Sequence, residues 1–235
     1  RVRSSAASDV YKRQDFDKRW ASIGVVGPNF ILEIMEPSNA PEDQQSPLTK
    51  FRNRHGQHWH SYAWFVDVAD MAPLIERLNA YGVRVVTPYP QEEGAVPDTI
   101  FTHPKDTFGQ IEIQALSGPQ STDPRFSPGW SAQPWLQGPM QLERASHLTS
   151  IVSDVDRARA FYEECLDAKT FHSRSTPEAE SVFVFVGTET VIELAMPTSS
   201  ESRLGRDLAE HGALPHALTF KVRDVDTASR HCESI

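Results

Sequence analysis

The chain carries an internal repeat whose period exceeds half its length, and this repeat limits the fold more than any other feature. A Val-Gly pair is followed six residues later by a glutamate, Glu33 in the first copy and Glu193 in the second. A histidine then opens a largely apolar segment in each copy, His60 and His216. The copies are offset by 160 residues at the glutamates and by 156 at the histidines. We therefore expect one structural unit to occur twice.

A shorter period lies inside the long one. His147 leads an apolar segment that ends near Asp154, and His216 leads a similar segment that ends near Asp224. The offsets between these two segments are 69 residues at the histidines and 70 at the aspartates. Each large repeat is therefore expected to contain two smaller units, and each unit should begin with a strand and continue with a helix.

Local patterns support this order. Apolar residues at positions 71, 74, 75 and 78 have helical spacing, with Asp70 as the expected N-cap and Gly82 as the expected end. A similar apolar stripe follows Asp154. Strand-forming segments are predicted at 83–86, 99–102, 110–114, 181–186 and 191–194. A strand followed by a helix and further strands, repeated, predicts the α+β class.

Composition and charge exclude several classes of function. The formal net charge is −9, and an acidic protein is repelled by nucleic acid and by anionic membranes. No apolar run approaches the roughly 20 residues of a membrane span. The two cysteines, Cys165 and Cys232, form no CxxC or Cys/His cluster. We expect a cytoplasmic protein whose partner is a small-molecule substrate, with no nucleic-acid or membrane partner and with homodimerisation left open.

Three segments resemble the vicinal oxygen chelate (VOC) superfamily, which includes glyoxalase I, methylmalonyl-CoA epimerase, extradiol ring-cleaving dioxygenases and bleomycin-resistance proteins. Residues 147–168 are similar to the opening strand and helix of the family, residues 186–197 to the end of the same module, and residues 101–112 to the closing hairpin of the epimerase branch. The resemblance implies a two-domain protein of tandem βαβββ modules. These modules form open, cup-shaped mixed sheets with the helices outside and a metal inside the cup.

The resemblance also suggests how the chain is divided. Residues 1–14 resemble a translated adapter sequence and are expected to be non-native. Residues 15–116 would form a first VOC domain that lacks its opening strand and helix. Residues 117–141, with five prolines, are typical of a linker. Residues 142–235 would form a second VOC domain that is truncated in its second module.

Strand alternation supports two of the candidate site residues independently of the family. Glu112 and Glu193 each lie between apolar residues that face the other side of a predicted strand. By resemblance, a first metal site would use Glu33, His60 and Glu112, and a second site would use His147, Glu193 and His216.

The implied cofactor is one divalent ion of Zn, Ni, Co, Mn or Fe. Such an ion would chelate two neighbouring substrate oxygens and stabilise an enediolate or enolate, while Glu33 or Glu112 moves a proton as the catalytic group. This chemistry is that of a lyase or isomerase of the glyoxalase or epimerase kind. Two alternatives stay open: an extradiol ring-cleaving dioxygenase, and a metal-free small-molecule binding protein of the bleomycin-resistance type.

One spacing departs from this scheme. His147 lies five residues before the valine that ends its apolar segment, whereas His60 and His216 lie six before theirs. Alternation therefore places Ser61 and Ala217 on the face that His147 occupies, unless a β-bulge restores the direction. Candidates for lining the substrate pocket are Tyr62, Trp64 and His103, with core packing as the alternative for the first two and a turn for His103.

Overall fold

The structure is a computed structural model that describes residues 10–14, 19–88, 92, 94–116 and 123–235. Residues 1–9 of the segment expected to be non-native lie outside the described residues, as do residues 117–122 of the predicted linker. Among the described residues, every helix is too short or too polar to cross a lipid bilayer.

Strands and helices alternate along the chain. The strands are β1 (Val10–Gln14), β2 (Arg19–Val25), β3 (Ile31–Pro37), β4 (Ser61–Asp67), β5 (Val85–Val86), β6 (Thr99–Thr102), β7 (Gln110–Leu116), β8 (Leu142–Ile151), β9 (Lys169–Ser175), β10 (Ala179–Val186), β11 (Thr190–Pro197) and β12 (Pro215–Val222). The helices are α1 (Pro47–His55), α2 (Val68–Ala80), α3 (Pro104–Thr107), α4 (Gln133–Leu136), α5 (Val155–Leu166), α6 (Arg203–His211) and α7 (Val225–Glu233).

The described strands form three sheets, with the orders β1-β2-β3, β4-β7-β6-β5 and β12-β8-β11-β10-β9. In the second sheet β4 pairs with β7 in parallel, and in the third β8 pairs with β11 in parallel. The pairs β5–β6, β6–β7, β9–β10 and β10–β11 are antiparallel. The segments β4-α2-β5-β6-β7 and β8-α5-β9-β10-β11 are thus two copies of one βαβββ module. The predicted α+β fold with mixed sheets and repeated modules is confirmed.

The chain divides into two compact units, and each unit is made of segments that are not contiguous in the sequence. The first unit takes its described residues from the ranges 1–53, 118–146 and 218–235, and the second from 54–117 and 147–217. In the first unit, Asn29 and Ala145 exchange two hydrogen bonds of 2.8 and 3.1 Å. Also in this unit, β1 pairs antiparallel with β2. The domain boundaries given above, and the non-native origin of residues 1–14, stay predictions.

The second unit is built around the helices α2 and α5, which pack on each other. The Tyr81 and Phe161 rings meet edge to face with their centroids 6.0 Å apart, and Trp64 and Tyr162 do so at 6.4 Å. Helix α2 also packs on β4 and β7, and α5 packs on β9, β10 and β11. Each sheet therefore uses one face for the apolar core and leaves its opposite face for other chemistry.

Helix α2 begins three residues earlier than predicted. Asp67, and not Asp70, is the N-cap, because its carboxylate directly follows β4 and accepts a hydrogen bond from the Ala69 backbone N–H at 3.2 Å. Asp70 lies in the first turn, where a negative charge still favours the helix. Asp154 caps α5 in the same way, accepting from the Arg157 N–H at 2.9 Å.

Candidate metal centre

Glu193 lies on β11 in the middle of the five-stranded sheet. Thr149 of β8 is its register partner on one side, and Phe183 of β10 is its partner on the other. Register partners point to the same face of a sheet, so these three side chains share one face. The neighbouring residues Ile192 and Leu194 point to the opposite face and are fully buried.

Both carboxylate oxygens of Glu193 are engaged, and the residue is only 6% exposed. Arg174 Nη2 donates to Oε1 at 2.7 Å, and Thr149 Oγ1 donates to Oε2 at 2.8 Å. His147 Nε2 lies 3.5 Å from the same Oε2. Burial opposes ionisation of this carboxyl, but hydrogen bonds from His147, Thr149 and Ser181 and the charge of Arg174 outweigh it and lower the pKa of Glu193 to about 2.

Phe183 brings further side chains to this face. The His147 ring meets the Phe183 ring edge to face with centroids 5.5 Å apart, and the His172 ring lies 5.4 Å from it. The Arg174 guanidinium lies over the same ring at 5.4 Å. The face therefore combines imidazole, guanidinium and carboxylate groups around one aromatic ring.

His216 lies on β12, which is the neighbour of β8 in the sheet. Its Nδ1 is 2.7 Å from Asp207 Oδ2 on α6. Because an ionised carboxylate only accepts hydrogen bonds, Nδ1 is the donor and the neutral ring keeps a lone pair at Nε2. A carboxylate that fixes the second nitrogen in this way is the usual outer partner of a metal-binding histidine. Asp207 was not among the predicted site residues.

Two further histidines face Asp207. The Nε2 atoms of His58 and His211 each lie 3.7 Å from Asp207 Oδ1, and their ring centroids are 5.0 Å apart. The His55 ring lies 5.8 Å from that of His211. Sequence reasoning missed this cluster, although the spacing of Asp207 and His211 by four residues places them on one face of a helix.

Glu112 has the position on β7 that Glu193 has on β11. Its register partner on β4 is Ala63, and the pairing of the two strands runs without a bulge from Ser61 to Asp67. Gln114 Nε2 donates to Glu112 Oε1 at 2.5 Å. Ser61, two residues before Ala63, shares the face of Glu112. His60 precedes the strand, and its Nδ1 is 3.1 Å from Ser61 Oγ.

The remaining predicted residues have separate locations. Glu33 lies on β3 in the first compact unit, whereas His60 and Glu112 belong to the second. Tyr62 and Trp64 are the register partners of Ile111 and Ile113, on the face opposite Glu112, and Tyr62 is buried. His103 caps α3, with its Nδ1 3.0 Å from Arg84 Nη2. Of the predicted metal ligands, the structure shows His147 and Glu193 side by side.

Residues 146–235 match the family described as the Glyoxalase/Bleomycin resistance protein/Dioxygenase superfamily. The structure is similar to that of a triple mutant of 4-hydroxymandelate synthase from Streptomyces coelicolor, with 16% identity and a TM-score of 0.62 over 92% of this chain and 63% of that chain. It is also similar to methylmalonyl-CoA epimerase from Mycobacterium tuberculosis, with 22% identity and a TM-score of 0.38 over 41% of this chain and 65% of that chain. Comparison with curated proteins gave no match.

The first of these likenesses extends over nearly the whole chain and shows the fold. This chain spans 63% of the length of the synthase and 65% of the length of the epimerase. Over residues 146–235 this match confirms the resemblance noted in the sequence.

Proposed function

We propose that the protein is a metal-dependent VOC enzyme that holds one divalent ion at His147, Glu193 and His216 and acts on a small oxygenated organic substrate. The observation that carries this proposal is the 3.5 Å separation of His147 Nε2 and Glu193 Oε2. Two ligands that each lie about 2.1 Å from one ion are roughly 3 to 3.5 Å apart in octahedral or tetrahedral geometry. The two atoms therefore fit a shared ion.

The surrounding groups fit the same role. Arg174 and Thr149 hydrogen-bond the Glu193 carboxylate, as outer partners of a ligating carboxylate do. Asp207 holds Nδ1 of His216 and leaves Nε2 for a metal. Two imidazoles and one carboxylate suit Zn, Ni, Co, Mn or Fe better than Mg or Ca.

A bound divalent ion would act as a Lewis acid that polarises two neighbouring oxygens of the substrate. With a pKa of about 2, Glu193 stays ionised at neutral pH and serves as an anchor, not as a proton acceptor. The side chain of Arg174 is 51% exposed and makes its 2.7 Å contact with Glu193 through Nη2. Its remaining N–H groups are suited to orient an anionic group of the substrate, such as a carboxylate.

Proton transfer in this proposal falls to Glu112. Glu112 lies on the sheet face opposite the core of its module, where Gln114 donates one hydrogen bond to it.

The test is metal content followed by binding affinity. We expect the purified chain to hold one divalent ion at this centre, apart from any ion bound elsewhere, and His147→Gln and Glu193→Gln each to weaken its binding about 100-fold. His231→Gln, a histidine outside the site, is the matched control and should bind like wild type. A well-folded wild-type chain that binds no divalent ion would exclude the proposal.

A dioxygenase is the second candidate, since two histidines and one carboxylate are also the ligand set of non-haem Fe(II) oxygenases. Loading the chain with Fe²⁺ without oxygen and then adding a catechol tests it. Oxygen uptake that Glu193→Gln abolishes would favour this function over the lyase or isomerase, and no uptake would remove it.

Metal-free binding of a small molecule is favoured by one observation in the first module. Ser61 there has the register position that His147 has in the second module. A ligand that binds equally well with and without chelator would support this function for the β4–β7 module.

A further inference from the structure

Three side chains of the second compact unit converge outside the proposed centre. His58 Nε2, His211 Nε2 and Asp207 Oδ1 all lie within 4.8 Å of one another, and each nitrogen is 3.7 Å from the oxygen. This spacing is longer than an N–H···O hydrogen bond of about 2.7 to 3.2 Å. It is within a few tenths of an ångström of the roughly 3.4 Å that separates two ligands lying about 2.1 Å from a tetrahedral ion.

The hydrogen bond at the other nitrogen of His58 shows which atom is available. Nδ1 of His58 lies 3.3 Å from the backbone oxygen of Trp59. A carbonyl oxygen only accepts, so Nδ1 carries the hydrogen and Nε2 of the neutral ring presents a lone pair. A lone pair and a carboxylate oxygen repel each other across 3.7 Å, and this distance is too long for a shared proton. A cation between the two atoms would turn this repulsion into attraction.

Helix α6 supplies two of the three groups from one rigid face. Asp207 and His211 are four residues apart and therefore adjacent on the helix surface. The helix lies very close to the segment before it, because a Cβ at Gly205 would lie only 2.0 Å from the Ser199 carbonyl oxygen. The second oxygen of Asp207 is fixed by His216 at 2.7 Å, which leaves Oδ1 in a set orientation.

The three side chains are sheltered but not sealed, with exposures of 12% for His58, 17% for His211 and 20% for Asp207. An ion from solvent can reach them, as any metal site requires. Two imidazoles and a single carboxylate favour zinc and its transition-metal neighbours over magnesium or calcium. Three protein ligands leave a fourth position of a tetrahedral ion for water.

We infer that His58, Asp207 and His211 form a second metal site of zinc type, with one open coordination position, separate from the ion proposed at His147 and Glu193. The site joins the segment before β4 to helix α6. Neither the internal repeat nor the resemblance to the VOC family assigns these three residues.

Zinc titration of the full chain against a chromophoric chelator tests the inference. We expect His58→Gln with His211→Gln to remove one zinc ion per chain, or to weaken one site at least about 100-fold. The double variant His147→Gln with Glu193→Gln should keep this zinc, and His231→Gln should match wild type. If the first double variant binds zinc with wild-type number and affinity, the inference is wrong.

A measurement on the unmodified chain guards against misfolding of the variants. Zinc should shift the imidazole nitrogen NMR signals of His58 and His211, with the largest change at Nε2 of each. Signals of both rings that stay unchanged at saturating zinc would overturn the site. The His147 signals report on the other centre, so failure of one proposal is distinguishable from failure of the other.

Discussion

The two βαβββ modules of the second compact unit have the same strand order but carry different chemistry. In both modules a glutamate lies on the last strand, in register with a residue of the first strand: Glu112 with Ala63, and Glu193 with Thr149. Glu193 is buried among an arginine, a threonine and a histidine. On the face of Glu112, the corresponding positions of β4 hold serine and alanine. The shared topology thus places a glutamate at the same position in both modules, and the neighbouring side chains determine what that glutamate can do.

A shift of one residue accounts for much of this difference. His147 lies two residues before the register partner of Glu193 and so shares its face. His60 lies three residues before the register partner of Glu112, and Ser61 takes the equivalent position. Because side chains alternate with a period of two, one residue moves a side chain to the other face of a sheet. A repeat of residue types is therefore not by itself a repeat of the site.

The largest expected difference between the modules is in metal affinity. Glu193→Gln should weaken divalent metal binding about 100-fold, because it removes a charged ligand. Glu112→Gln is the matched change in the other module. It should alter the affinity of the centre at His147 and Glu193 by less than about threefold. Isothermal titration with Zn²⁺ measures both, and equal losses would mean that the two modules do not differ as described.

The next largest effect is on stability in acid. The folded pKa of Glu193 is lowered from 4.5 to about 2, so its contribution to stability is complete above pH 4.5 and is lost as the pH falls toward 2. Between pH 6 and pH 3 the metal-free wild type should lose about 2 kcal/mol more than Glu193→Gln does. Urea unfolding at the two pH values measures this difference. Glu112→Gln should lose as much stability between the two pH values as the wild type does. If Glu193→Gln also loses as much as the wild type, the lowered pKa of Glu193 does not contribute to stability as described.

A gain of function sharpens the comparison further. Ser61→His places an imidazole on the face of Glu112, at the register position of His147, and should raise the Zn²⁺ affinity of this module about tenfold, as one added ligand can. His60→Gln should leave the affinity of the module unchanged, since His60 is displaced by one residue. No gain from Ser61→His, combined with a loss from His60→Gln, would show that the register argument fails.

The smallest effect concerns two arginine–carboxylate pairs. In the first module, Arg84 pairs with Asp106, whose side chain is 19% exposed, compared with 7% for Glu193. The hydrogen bond from Arg84 helps lower the pKa of Asp106 to about 2. Because exposed ion pairs contribute little to stability, Arg84→Gln should lower the unfolding free energy much less than Arg174→Gln does. Arg174→Gln leaves the buried Glu193 without its counter-charge and should cost about 2 kcal/mol. Denaturant unfolding at pH 7 measures the loss of unfolding free energy in each variant. A larger loss in Arg84→Gln than in Arg174→Gln would contradict the difference in burial between the two carboxylates.

Much of the fold was predictable because it depends on local patterns. The strand predicted at 99–102 is β6, the strand at 110–114 is the main part of β7, and alternation placed Glu112 and Glu193 on the faces opposite their apolar neighbours. The repeat of modules followed from the spacing of histidines and glutamates. Each of these signals is contained within one element or in the order of elements.

The partners of the candidate site were not predictable in this way. Arg174 reaches Glu193 from β9, whose residues are all exposed and show no apolar alternation. Asp207 and His58 lie 149 residues apart in the sequence and meet only in the folded chain. Periodicity shows which face of an element is buried but not which distant side chain lies against it. The Ser202 cap and the spacing of Asp207 and His211 were the local signals available for α6.

The central claim is that His147, Glu193 and His216 hold one divalent ion. Anomalous diffraction from a cobalt-loaded crystal of the chain tests it most directly. We predict an anomalous peak about 2.0 to 2.2 Å from both His147 Nε2 and Glu193 Oε2, with His216 Nε2 as a further ligand. A fully loaded crystal with no peak beside these atoms, and with the hydrogen bonds of Glu193 to Arg174 and Thr149 unchanged, would contradict the claim.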